Sequence, residues 1–256
     1  MSKSPARACR IEGKLISKSR SYSTEWSFPD GTTIEIDLPS VLEDAEELNI
    51  HRTKEGYVVS GLVHDADVDD PILDEEWWIL LSLRRGSPGQ EEAIERWEKY
   101  TARSRSLDDT EDIAEVWLDV YSHGGECWAI MGSLEAARFP DRRWDVGSPG
   151  GVLVATEAHL KELREYAPHR IPFIPDEVEC KTQLRAFMRA ELLKQAEISL
   201  KEYNAWLRGD CWGACVYRYD LEGNEVDDDC CWGYIGREYA EEELKNATDD
   251  MCQVFV

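Results

Sequence analysis

An α+β fold, with a mostly antiparallel sheet of hairpins packed on a long helix, is what two features of the chain predict. Apolar runs with strand-like alternation come in pairs joined by tight polar turns, and helical spacings occur in separate stretches beside them. The clearest helical stretch spans about residues 181–208, where Leu184, Phe187, Met188, Leu192, Ala196, Leu200, Tyr203 and Leu207 recur at three and four residues. Shorter helices are expected at the periphery.

In chain order, Tyr22 to Asp37 reads as a hairpin about Pro29-Asp30-Gly31. Ser40 is placed to cap a short acidic helix over Val41 to Leu48. Tyr57 to Val63 and Trp77 to Leu83 read as strands, and Glu91 to Ala102 as a helix through Ala93, Ile94, Trp97 and Tyr100. A second short helix is expected over Leu107 to Val116. Strands then follow at Val116 to Tyr121, Glu126 to Met131 and Val152 to Ala155, and Thr156 caps a helix that begins at Glu157. Gly209 suits the left-handed residue that ends the long helix. Cys211 to Tyr219 and Glu225 to Ile235 form the last hairpin, about Leu221-Glu222-Gly223-Asn224, and an acidic helix comes after it. Residues 1–22, with six bases and one acid, read as a basic arm. Residues 23–256 read as one domain with a possible sub-division near 103–115.

Charge is the strongest compositional signal. Lys and Arg number 29 against 53 Asp and Glu, a net charge of −24. A field of that sign repels nucleic acid and anionic membrane and favours a basic partner. With 42% hydrophobic residues, ten Trp and ten Tyr, the chain has material for a core. No apolar run reaches the ~20 residues that span a bilayer, and the N-terminus lacks the apolar core of a signal peptide. A soluble protein of the bacterial cytoplasm is expected.

Eight cysteines are therefore expected as reduced thiols. Cys211-x3-Cys215 and Cys230-Cys231 invite a zinc reading, but neighbours on a strand point to opposite faces, so Cys230 and Cys231 do not suit one ion. The segment HDADVDDPILDEEWW carries Asp65, Asp67, Asp69, Asp70, Asp74, Glu75 and Glu76 without a base. It resembles a calcium loop in having Glu76 twelfth from Asp65. Asp70 followed by Pro71 stands where the loop's turn glycine is needed. No metal and no cofactor are expected. In an extended chain, Asp65, Asp67 and Asp69 would share one face at about 6.7 Å spacing, which suits a row of basic side chains. A second acidic set is Glu225, Asp227, Asp228, Asp229, Glu241, Glu242 and Glu243.

Candidates for direct chemistry are fewer. His123 in the turn Ser122-His123-Gly124-Gly125, with Asp145 and Asp229, could form a site if the three converged. There is no G-x-S-x-G, phosphate loop or H-E-x-x-H to supply a nucleophile or metal.

The combination VWLDVYSHGGECWAIMGS, RWDVGSPGGVLVATEAHL, YNAWLRGDCWG and DDDCCWGYIGREYAEEE resembles an uncharacterised family of acidic proteins encoded by phages, plasmids and other mobile elements. The resemblance covers roughly residues 57–245 and includes Trp144-Asp145 and Cys231-Trp232-Gly233. It implies a genome context and no chemistry. Joined to the charge, it leads to the expectation of a counter-defence inhibitor. Such a protein would bind the basic surface of a host protein or ribonucleoprotein complex, of CRISPR or restriction type, through acidic surfaces that mimic nucleic acid, without touching nucleic acid or membrane itself. The alternatives are an enzyme acting on a host factor or nucleotide through His123, Asp145 and Asp229, and an acidic housekeeping protein of the element.

Overall fold

The computed structural model describes residues 10–18, 23–74, 76–103, 114–141, 143–171 and 177–253. The fold is α+β, and every strand pair in its three sheets is antiparallel. The chain divides into two compact units, residues 1–68 with 209–256, and residues 69–208.

The first unit is built from both ends of its sequence. Strands β1 (Ile11–Glu12), β5 (Glu46–Arg52), β6 (Tyr57–His64), β11 (Cys211–Tyr219) and β12 (Glu225–Ile235) form a five-stranded sheet in the order β1-β5-β6-β11-β12. One face carries Val58, Leu62, Trp212, Ala214 and Val216, and the helix α6 (Arg237–Gln253) covers it with Ala240, Leu244 and Cys252. The opposite face presents Tyr57, Val59, Cys215, Tyr217 and Tyr219 to Trp26, Phe28 and Ile36. Trp26 and Ile36 belong to a three-stranded sheet of β2 (Lys14–Lys18), β3 (Ser23–Ser27) and β4 (Thr33–Asp37), and Phe28 follows β3 directly. The alternation of the sequence is thus used on both faces, because both are covered. The stretch read as an arm contributes β1 and β2; residues 1–9 and 19–22 lie outside the described residues.

The helix expected over Val41 to Leu48 is corrected. Only a 3-10 turn, Ser40–Leu42, forms there, Ser40 makes no side-chain cap, and β5 begins at Glu46. Pairing wins because Ile50 and His51 are buried in register with Val59 and Val58, a burial that a solvated acidic helix cannot match.

In the second unit, β7 (Trp78–Ser82), β8 (Glu115–Ser122), β9 (Glu126–Ile130) and β10 (Val146–Ala155) form a sheet in the order β7-β10-β8-β9. The long helix α5 (Glu177–Leu207) lays Met188, Leu192, Ala196, Leu200 and Tyr203 on Leu118, Val120, Trp128 and Leu153. The other face, with Leu81, Trp117, Val152 and Val154, meets Ala93 and Trp97 of the helix α2 (Gln90–Arg103). The short helices α1 (Pro71–Asp74), α3 (Leu134–Ala137) and α4 (Glu157–Tyr166) are peripheral. Of the helix expected over Leu107 to Val116, residues 107–113 lie outside the described residues, and from Glu115 the chain is strand. Strand β10 starts at Val146, earlier than expected, and accommodates Pro149 through a break in register between Gly147 and Gly151. No helix among the described residues is long and apolar enough to cross a membrane.

Candidate functional site

Strand β12 gives the second acidic set its geometry. It is an edge strand, paired on one side with β11 and with no strand on its other side among the described residues. Glu225, Val226, Asp227, Asp228 and Asp229 are all exposed. Register places Asp229 opposite Val216 and Asp227 opposite Arg218 on the α6 side of the sheet, while Asp228 lies opposite Tyr217 on the other. Arg218 and Asp227 form an ion pair at 3.1 Å. In α6, Glu242 is exposed, whereas Glu241 accepts from Arg237 Nε at 2.8 Å.

The base of this hairpin is pinned by groups the sequence offered as free acids or did not single out. Asp65 Oδ2 accepts from Gly233 N at 3.0 Å, and Asp65 Oδ1 from Asp67 N at 3.1 Å. Asp210 Oδ1 accepts from Trp212 Nε1 at 2.7 Å and from Arg237 N at 3.1 Å, which caps α6 from outside the helix. Arg237 lies over the Trp212 ring and binds Glu46, Glu47 and Glu241. Those three carboxylates raise its already high pKa. Trp232 lies against Gly213, where a Cβ would come within 2.3 Å of its ring; the adjacent break in register seats Gly233 at φ 85°.

The first acidic set is dispersed. After His64 the chain leaves the sheet, so Asp65, Asp67 and Asp69 are not a row on an extended strand. Asp65 is spent on backbone donors, and Asp70 Oδ1 accepts from Ile72 N at 2.9 Å at the start of α1. Asp67, Asp69 and Glu76 are exposed. Asp65 and Asp67 belong to the first unit, and Asp69, Asp70, Asp74 and Glu76 to the second. Glu75 lies outside the described residues.

Of the catalytic candidates, His123 and Asp145 meet. His123 Nδ1 is 3.5 Å from Asp145 Oδ1, and Ser122 N donates to Asp145 O at 2.9 Å, which holds the turn. The imidazole is 72% exposed and has no other polar partner among the described residues. Asp229 belongs to the other unit. Among the described residues, no three His, Cys, Asp or Glu side chains converge at metal-binding spacing.

Three further polar groups escaped sequence reasoning. Asp119 is fully buried in β8, and its signal was a single acid inside the apolar run VWLDVYS. His159 is buried between Trp77 and Trp78, with Nδ1 3.2 Å from Trp77 O and Nε2 2.6 Å from Gln195 Oε1. The third is the thiol pair Cys215 and Cys230, directly opposite each other across β11 and β12, with Cys230 Sγ 3.4 Å from Tyr217 Oη. The turn at Leu221-Glu222-Gly223-Asn224 carried the signal, because Cys215 and Cys230 stand six residues from it on either side. Hydrogen bonding to Cys215 and Tyr217 brings the Cys230 thiol down to about 7, and the same pairing pushes Cys215 up. Cys231 points to the other face and is exposed. Comparison of the chain with protein-family models, with curated proteins and with solved structures finds no match.

Proposed function

We propose that this chain is an accessory protein of a phage, plasmid or other mobile element that binds a host nucleic-acid-processing complex of CRISPR or restriction type. It would cover that complex's basic surface with carboxylates. The observation that supports this reading is the exposed acidic edge of β12. Glu225, Asp227, Asp228 and Asp229 fall within five residues of an extended strand. Asp227 and Asp229 share one face at about 6.7 Å and Asp228 stands on the other, against one phosphate per ~3.4 Å on each strand of duplex DNA. A groove lined with Lys and Arg would release counterions to such an array as it does to nucleic acid. Glu242 and Glu243 of α6 extend the same unit's charge.

The test is binding to purified host nuclease complexes of both types across a salt series. The reading expects affinity that falls steeply with salt. It also expects loss of binding when Glu225→Gln, Asp227→Asn, Asp228→Asn and Asp229→Asn are combined. Salt-insensitive binding, or a combined variant that binds as well as the parent, overturns it.

A second reading, an enzyme acting on a host factor or nucleotide, rests on the His123–Asp145 pair, in which the carboxylate orients an imidazole able to move a proton. His123→Ala then abolishes the effect on the host while leaving complex formation intact. In the charge reading the same variant changes neither.

A further inference from the structure

We propose that Cys230 and Cys215 are a two-thiol oxidation site, at which hydrogen peroxide closes a reversible disulfide across the β11–β12 hairpin. The inference is independent of any partner. The two residues are directly opposed in an antiparallel ladder, where Cβ atoms stand about 4.5–5.5 Å apart, close to what a disulfide spans. Both are free thiols. Their accessibility differs in the way a two-step oxidation requires: Cys215 is 0% exposed, within the apolar cluster of Tyr57, Val59 and Tyr219, whereas Cys230 is only partly buried at its margin. An oxidant therefore reaches Cys230 and not Cys215.

Local chemistry favours the same order. The Tyr217 hydroxyl, 3.4 Å from Cys230 Sγ, can donate to a thiolate there, as can the Cys215 thiol. Burial first, and then the charge of Asp228, oppose the thiolate, and the hydrogen bonds outweigh them. A thiolate with accessible sulfur beside a resolving thiol is the arrangement of redox-sensing cysteines. Cys231, next in sequence, is more exposed but lies on the α6 side opposite Ala214, with Asp229 Oδ1 3.8 Å from its sulfur and the Tyr234 hydroxyl within hydrogen-bonding reach, so what it lacks is a facing thiol to resolve it.

The steps balance. The Cys230 thiolate attacks one peroxide oxygen, the O–O bond breaks, and the departing hydroxide takes a proton to leave as water, giving Cys230 sulfenic acid. Cys215 sulfur then attacks Cys230 sulfur. The S–O bond breaks, and the hydroxide leaves as a second water with the proton that Cys215 gives up. Two thiols lose two electrons and two protons, and hydrogen peroxide is reduced to two waters. A dithiol reductant such as dithiothreitol reverses the bond by exchange.

The full chain is treated with hydrogen peroxide, quenched by alkylation and mapped by mass spectrometry. The expected product has lost two hydrogens and yields a peptide linked through Cys215 and Cys230, formed at least about tenfold faster than oxidation of the exposed Cys180, and reversed by dithiothreitol. In Cys215→Ser the sulfenic acid persists and is trapped at residue 230 by dimedone. In Cys230→Ser residue 215 stays reduced, and Cys231→Ser changes nothing. The proposal is overturned if the link uses Cys231, if Cys180 oxidises first, or if Cys215 oxidises in Cys230→Ser. Should a variant fail to fold, the wild-type peptide map alone decides, because a linkage other than 215 to 230 refutes it.

Discussion

Strands β11 and β12 are neighbours in one hairpin, yet their environments are opposite. Cys211 through Tyr217 are all buried, whereas Glu225 through Asp229 are all exposed. The ladder between them bonds both, but β11 is paired on its other side with β6 as well, and its faces are covered. β11 lies between β6 and β12, with α6 over one face and the β2–β4 sheet over the other, while β12 lies at the edge. Composition follows cover: Trp, Val, Tyr and small residues on β11, and acids on β12. Fold and function candidates are therefore divided between two strands joined by a turn.

The sharpest way to break the contrast is to truncate cross-strand partners one at a time. Val216 is fully buried and stands opposite the exposed Asp229. Val216→Ala removes two methylenes' worth of burial and leaves a cavity, at a cost of about 2–3 kcal/mol. Asp229→Ala, on the facing residue, stays within about 0.5 kcal/mol. Urea unfolding measures both, and similar losses for the two would show that β12 is not the loosely held partner.

The next effect contrasts the two ends of the same sheet. Next to β1, the edge opposite β12, His51 is 6% exposed, accepts from Arg10 Nη2 at 2.7 Å through Nε2, and leaves its Nδ1 without a partner among the described residues. Arg10 also binds Asp249 of α6. Burial first, and then the Arg10 charge, bring His51 down to about 4, with Asp249 acting the other way. Between about pH 6.5 and 4 the unfolded chain binds a proton that the folded chain refuses, so stability falls as pH falls through that window. The loss is at most about 3 kcal/mol, is complete near pH 4 and is absent above neutrality. His51→Gln should flatten the slope of unfolding free energy between pH 6.5 and 4; an unchanged slope would assign it to other groups.

A smaller effect lies where hairpin and helix meet. Asp210 serves the indole of Trp212 and the first amide of α6 at once. Asp210→Ala costs about 1–2 kcal/mol, the range of a lost cap. Asp210→Asn keeps an acceptor and recovers part of that loss. Hydrogen exchange at the α6 N-terminus separates this from a general loss of stability, because fraying there should exceed any change in β11.

How much of this could be read beforehand follows from the range of the forces. The Pro29-Asp30-Gly31 turn, with Gly31 at φ 84°, the Thr156 cap accepting from His159 N, and Gly209 at φ 69° after the long helix are all set by neighbours in sequence, and all were legible. The pairing of β6 with β11 joins residues near 60 to residues near 216, and no local signal carries it. The pairings of β5 with β6 and of β11 with β12 are hairpins between neighbouring strands, so the strand that replaces the acidic helix and the alignment of Cys215 with Cys230 are locally encoded. For the candidate site, acidity was legible but its disposition was not. Asp65 and Asp70 read as surface charge and instead accept from backbone amides, while Asp227, Asp228 and Asp229 remain exposed.

The smallest expected effect on stability comes from the four acids of β12 themselves. Replacing Glu225, Asp227, Asp228 and Asp229 with their amides removes one ion pair, between the mostly buried Arg218 and the half-exposed Asp227, worth about 1 kcal/mol. It also relieves repulsion among neighbouring carboxylates, which works in the opposite direction and weakens with salt. The net change should be within about 1 kcal/mol, most favourable to the variant at low salt. A loss above about 2 kcal/mol would mean that the acids hold the hairpin. The variant also separates two uses of the charge. Acids on an unpaired edge keep a second strand from pairing there, since two copies of β12 would bring like charges together. If guarding the edge is their only role, the amide variant self-associates in a concentration-dependent way by light scattering and binds host complexes as the parent does. If they also engage a basic partner, self-association appears together with loss of that binding.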